Sequence, residues 1–142
     1  MSWEYKQKSE DQLKTWFQDK VRNRKSGFSD FSDFLNWYND NVKDNKCHYC
    51  NLSEWESQKL IHLGLLKSKR FPFNGLFSQG VNRGYWLEID RKDPNGIYSR
   101  ENCVPTCYFC NNDKSDVFTD TEYQDFVKDR IGFLKRILKK YD

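Results

Sequence analysis

The sequence predicts an α+β fold: a small metal-stabilised core of two short strands and a helix, flanked by N-terminal and C-terminal helices. Three observations predict it. Two Cys-x-x-Cys pairs, Cys47/Cys50 and Cys107/Cys110, are separated by 56 residues and are spaced so that two tight turns can aim four sulfurs at one ion. Apolar residues recur at helical spacing before the first pair and after the second. A strand-like run, Tyr85 to Asp90, is followed by the turn signal Asp93-Pro94-Asn95-Gly96 and a second run, Cys103 to Thr106, that leads into the second Cys pair.

A chain of 142 residues fits one domain, 1–142. With 37% hydrophobic and 32% charged residues the core is small, and a bound metal is the kind of helper such a domain uses. The N-terminal part, 1–45, reads as two helices. Ser9 with Gln12 forms a capping box ahead of the stripe Leu13, Trp16, Phe17 and Val21; Ser29 or Asp30 caps the stripe Phe31, Phe34, Leu35, Tyr38 and Val42. Both stripes read as core packing. The central part, 46–116, starts with the first Cys pair. A third helix follows, with Ser53 and Glu56 as capping box and Leu52 as staple, ending near Leu66. Residues 67–84 read as a long loop with Pro72, Gly75, Gly80 and Gly84 among Phe71, Phe73, Phe77 and basic residues. A short helix begins at Tyr108. In the last part, 117–142, Thr119 and Glu122 cap one final helix with apolar positions from Tyr123 to Tyr141. Its basic residues read as a solvated face before a nucleic-acid face.

The net charge of +3 says little about partners. No run of about 18 apolar residues exists, so no membrane span is expected. The first twenty residues carry both charge signs and no long apolar stretch, which argues against a secretory signal and for a cytoplasmic location. In that compartment the Cys pairs read as a metal site, not as disulfides. Four thiolates close the shell of a structural Zn²⁺ and leave no position for substrate. Cys103 then packs as a small hydrophobe, and His48 is a bystander inside the first Cys turn.

The chemistry concentrates after residue 85. Asp90 ends the first strand, Asn102 enters the second, and Asn111 follows the last zinc ligand at the start of a helix. A hairpin plus a helix can bring the Asp90 and Asn111 oxygens to one point, and such ligands with open water positions suit Mg²⁺ or Mn²⁺. Asp and Asn are also common turn residues, so spacing alone is only suggestive.

The motifs Cys47-x-x-Cys50, Ile89-Asp90-Arg91-x-Asp93, Tyr98, Asn102 and Cys107-x-x-Cys110-Asn111-x-x-Lys114 occur in the order found in a known family. The chain resembles the HNH endonucleases, the ββα-metal or His-Me finger group, in an Asp-Arg subtype with a four-Cys zinc site that includes some restriction enzymes. The resemblance covers roughly residues 46–116. It implies a treble-clef-like ββα-metal core of prokaryotic or phage origin, acting on double-stranded DNA. It implies that Asp90 and Asn111 bind the catalytic Mg²⁺ or Mn²⁺, that Asn102 orients the active-site strand, and that Lys114 lies near a DNA phosphate. A helix-surface lysine is an equal reading of Lys114. Tyr98 and Asp93 shape the hairpin.

One position departs from the family pattern. The general-base His that follows the metal-binding Asp is Arg91 here. A guanidinium stays protonated; it can grip the scissile phosphate but cannot accept a proton. The base must be His62, a tyrosine, or a hydroxide supplied by the metal. His62 stands in an apolar helical run and reads first as a structural histidine.

These readings predict a metal-dependent DNA endonuclease, in the manner of a type II restriction enzyme. Lys67, Lys69, Arg70, Arg83, Arg91 and Lys114 are the expected DNA contacts. A symmetric DNA site would favour a homodimer. The alternative is a non-catalytic zinc-stabilised DNA-binding module with a degenerate site. A redox role for the Cys pairs is poor, because a thioredoxin-like βαβ context is missing.

Overall fold

The computed structural model describes residues 4–72 and 83–142. Phe73, Gly75, Phe77 and Gly80 of the expected long loop lie outside the described residues. Helix α1 spans Glu10–Arg22 and α2 Phe31–Asn41. Helix α3 spans Glu54–His62, strands β1 and β2 span Glu88–Arg91 and Cys103–Thr106, and α4 spans Tyr108–Lys114. Helix α5 spans Asp120–Val127 and α6 spans Phe133–Tyr141, joined through a single 3-10 turn at Lys128–Arg130. Among the described residues no helix is long and apolar enough to cross a membrane.

The caps form where local chemistry requires them. Ser9, Ser53 and Thr119 each accept from the backbone N–H three residues on, and Gln12, Glu56 and Glu122 each accept from the cap's own N–H. Asp30, not Ser29, caps α2. The aromatic stripes meet around Phe34, which is fully buried and stacks between Trp16 at 5.0 Å and Phe17 at 5.6 Å. Val21 departs from its stripe and is exposed, whereas Trp37, absent from the expected stripe, is buried. The turn between α1 and α2 locks onto the hairpin: Gly27 N–H donates to Tyr98 O and Tyr98 N–H to Lys25 O, both at 2.7 Å.

Two helices end differently from expectation, each because of a glycine. Helix α3 stops at His62 because Gly64 takes a left-handed φ of +68°. The final helix is broken in two because Gly132 sits at φ +89° and starts α6 afresh. The first strand is also shorter than expected. Tyr85, Trp86 and Leu87 are buried without strand pairing, and β1 pairs antiparallel with β2 in the register Glu88↔Thr106, Ile89↔Pro105, Asp90↔Val104, Arg91↔Cys103.

Candidate functional site

The two Cys pairs converge. Asn51, at φ +66°, lets the first turn close through Asn51 N–H to Cys47 O and Cys47 N–H to Leu52 O. Cys107 caps α4, and His48 N–H donates to Pro105 O at 2.8 Å, tying the first turn to β2. The four sulfurs lie within 4.8 Å of one another, and Cys50 and Cys107 are 3.7 Å apart. Sulfurs about 2.3 Å from a tetrahedral ion would be spaced by about 3.8 Å, so the cluster fits a four-coordinate thiolate-bound ion. Hydrogen bonds from Cys107, then Cys110 and Cys50, hold the Cys47 thiol well below its usual range. Cys103 is buried apart from this cluster; burial pushes its thiol up to about 12, as suits a packing residue.

Helix α4 continues from the cluster to Asn111, one of the expected oxygen ligands. Cys110 and Asn111 are adjacent, and Lys114 lies one turn further. Strand period places Glu88 and Asp90 on one face of β1, and helical spacing places Asn111 and Lys114 on one face of α4. The structure pairs these faces crosswise from the expected arrangement. Asn111 Nδ2 donates to Glu88 Oε1 at 2.8 Å, so its amide meets Glu88 and not Asp90. Asp90 is buried, accepting from the Tyr49 hydroxyl at 2.5 Å and from Lys114 Nζ at 3.3 Å. Burial raises the Asp90 carboxyl above its ordinary value, while Tyr49 and Lys114 pull it back down.

Lys114 is a correction. Its side chain is 0% exposed, and its ammonium is held by Asp90 and by Arg91 O at 2.9 Å. It cannot serve as an exposed phosphate contact in this conformation, because a buried ammonium needs these partners. Its burial comes from the β1–α4 register, which a helix-surface reading could not supply.

Arg91 folds onto the hairpin loop, donating Nη1–H to Gly96 O at 2.9 Å and stacking 5.0 Å from the Tyr98 ring. Asn102 accepts from Asp93 N–H and donates to Asp93 O and Ile97 O at 3.0 Å, so it shapes the loop between the strands. Lys67, Lys69, Arg70 and Arg83 are exposed. Arg70 reaches Tyr108 Oη at 2.8 Å and Asn112 Oδ1 at 3.3 Å. Arg83 grips both Glu88 oxygens at 3.1 Å and lies 4.8 Å from the Tyr108 ring.

A cleft of about 640 Å³ opens beside Glu88 and Asn111, with Lys8, Lys20, Tyr38 and Arg83 in its walls. His62 ends α3 and does not line this cleft. Glu88, Lys8 and Lys20 are the residues that sequence reasoning missed. Glu88 was findable, since a residue two before Asp90 on a strand shares its face. Lys8 and Lys20 carry no such local signal. The donor set, two carboxylates and an amide, is of the oxygen type that suits a hard cation; Asp90 is held by Lys114 and Tyr49, and Glu88 by Arg83 and the Asn111 amide.

Neither a protein-family model nor a curated protein matches the sequence. A solved structure, that of the rare-cutting HNH restriction endonuclease PacI, a protein described as perturbing DNA, is similar to it at 24% identity with a TM-score of 0.56. The likeness covers 80% of this chain and 72% of that one. This chain, with its two-stranded hairpin and helix beside a cluster of four cysteines, thus has an overall fold similar to that of a solved HNH restriction endonuclease.

Proposed function

We propose that the chain is a metal-dependent endonuclease that hydrolyses DNA phosphodiester bonds, a member of the HNH group in its Asp-Arg subtype. One observation carries the reading: within the fold of an HNH nuclease, α4 ties a four-thiol cluster to Asn111, whose amide faces a β1 carboxylate at the edge of an open cleft. The thiol cluster takes Zn²⁺ as a structural ion in a treble-clef-like arrangement. Asp90 and Asn111 hold Mg²⁺ or Mn²⁺, which when bound supplies Lewis-acid neutralisation of charge on the phosphate.

The chain's own groups do the rest. Tyr49 donates to Asp90 Oδ2, the kind of outer hydrogen bond that fixes a ligand carboxylate. Lys114 places a positive charge beside Asp90 and favours its ionised form. Asn111 must turn its amide so that Oδ1, not Nδ2, faces the ion. The Arg91 N–H groups not used by Gly96 O grip the scissile phosphate. Tyr38 and Tyr98 line the cleft; burial raises both phenols, so at neutral pH they position oxygens by donating and do not accept a proton. Lys67, Lys69, Arg70 and Arg83 contact the DNA backbone, joined by Lys8 and Lys20 from the cleft wall. A type II restriction enzyme acting as a homodimer in the prokaryotic or phage-infected cytoplasm is the fuller form of this reading.

A non-catalytic DNA-binding module is the second reading, favoured by one fact: Lys114 and Arg83 already balance the two carboxylates without an ion. Plasmid nicking with Mg²⁺ or Mn²⁺, against EDTA, separates the two. Cutting that needs the metal is expected. Retained DNA binding with no cutting under either ion would establish the binder.

A further inference from the structure

Glu88 has no role in the proposed ligand pair, yet it is the carboxylate that Asn111 touches. Its two oxygens are both taken by Arg83, in a forked pair at 3.1 Å and 3.1 Å, and Oε1 also accepts from Asn111 at 2.8 Å. The pair lies in the cleft wall, with the Glu88 side chain 20% exposed and that of Arg83 47% exposed. The other carboxylate arrangement on this strand differs sharply: Asp90 and Lys114 are 6% and 0% exposed. Separating a buried pair is costly, because it strands a charge. A half-exposed pair is worth little and exchanges readily.

Resting on the nuclease reading, we infer that Glu88 is a third oxygen ligand for the divalent ion, held in reserve by Arg83, and that a DNA phosphate drawing Arg83 away releases it. A guanidinium binds phosphate and carboxylate by the same fork, so the phosphate competes directly for Arg83. Departure of Arg83 removes one positive charge from the cleft and uncovers one negative charge beside Asn111. Both changes favour a dication. The Asn111 amide then turns, exchanging its N–H donation to Glu88 for an oxygen facing the ion. Metal affinity and backbone binding are in this way coupled through one side chain, and the coupling is reciprocal.

The test is Mn²⁺ binding to the zinc-loaded full chain, read from the free-ion paramagnetic resonance signal without DNA. Arg83→Met should tighten Mn²⁺ binding, because it frees Glu88. Glu88→Gln added to Arg83→Met should weaken it about tenfold relative to Arg83→Met alone. Arg83→Met should tighten Mn²⁺ binding far less in the Glu88→Gln background than in the wild-type chain, since the arginine acts mainly through the carboxylate. In metal-free binding to a short duplex, Arg83→Met should also lower the salt slope by about one contact. Thermal melts with zinc content check that each variant is folded. If Arg83→Met leaves Mn²⁺ affinity unchanged or lower while Asn111→Ala abolishes binding, the reserve-ligand idea is overturned and the nuclease reading stands. If the wild-type chain binds no Mn²⁺ and cuts no DNA, both fall.

Discussion

Helix α4 carries two candidate ion sites less than two turns apart, and they are built in opposite ways. Cys107 and Cys110 join Cys47 and Cys50 in a set of four like ligands, three of them buried, with Thr106 Oγ1 beside Cys47 Sγ and Cys110 N–H on Cys107 Sγ as further polar neighbours. Asn111 and Lys114 join Glu88 and Asp90 in a set of unlike groups, each already holding a protein partner. The difference shows how one short helix can serve both stability and chemistry. A closed, uniform shell gains from an ion and offers it no exit. A mixed oxygen shell, filled by the protein's own cations, can give way to an ion and a phosphate.

Breaking the closed set should have the largest effect. Cys107→Ser, or removal of the ion by a strong chelator, should unfold the chain, since binding of a structural ion is folding free energy of about 10–16 kcal/mol in small zinc peptides. Near-ultraviolet circular dichroism and bound-zinc content check this, and a folded, active Cys107→Ser protein would overturn the structural role.

Within the oxygen set, the buried member should cost more than the exposed one. Lys114→Met strands the Asp90 carboxylate and should lose about 3–5 kcal/mol in a denaturant melt. Asp90→Asn added to Lys114→Met should recover part of that loss; no recovery would mean that the lysine acts through packing or Arg91 O instead. Asn111→Ala should leave zinc content normal and change stability by less than about 1 kcal/mol, because it removes one half-exposed hydrogen bond. DNA cutting by this variant should fall by about a hundredfold or more. Residual cutting near wild type would remove Asn111 from the metal site.

The smallest effect concerns a carboxylate with no such role. Glu54 accepts from the Tyr5 hydroxyl and from Leu87 N–H, and burial raises its pKa despite both hydrogen bonds. A raised native value means that the folded state holds this proton more tightly than the unfolded state. The Glu54 contribution is therefore fully present below the unfolded carboxylate pKa and is lost as pH rises through the native value. Wild type should lose stability relative to Glu54→Gln across that interval, measured by urea melts from pH 4 upward, roughly the unfolded glutamate value. A gap that widens in favour of wild type would contradict the burial argument.

Elements that satisfy themselves within a few residues are legible in the order of residues alone. Ser9, Ser53 and Thr119 each complete a capping box three residues on, and Asp93 to Gly96 closes its own turn with Gly96 N–H on Asp93 O at 3.0 Å. Stripe membership is legible only in part. Trp37 and Val21 exchange their expected burial because the facing surface, not helical period alone, decides which edge of a stripe is covered. Gly132 is a single small residue inside a continuous apolar pattern, and only its left-handed backbone reveals two helices instead of one. The candidate site divides along the same line. Its residues on β1 and α4 stand out in the sequence, but Asn111, expected opposite Asp90, instead meets Glu88.

By itself the sequence determined the four-thiol cluster, the hairpin, the capped helices and the placement of Asn111 directly after the last cysteine, because each depends on spacing along the chain or on hydrogen bonds spanning a few residues. Tertiary structure alone decided that Lys114 is buried against Asp90 and that Arg83 and Glu88 remain open to the cleft. Those outcomes rest on how β1 and α4, separated by a hairpin, slide against each other. A shift of one strand period, two residues along β1, would exchange which carboxylate is buried against the lysine and which faces the cleft.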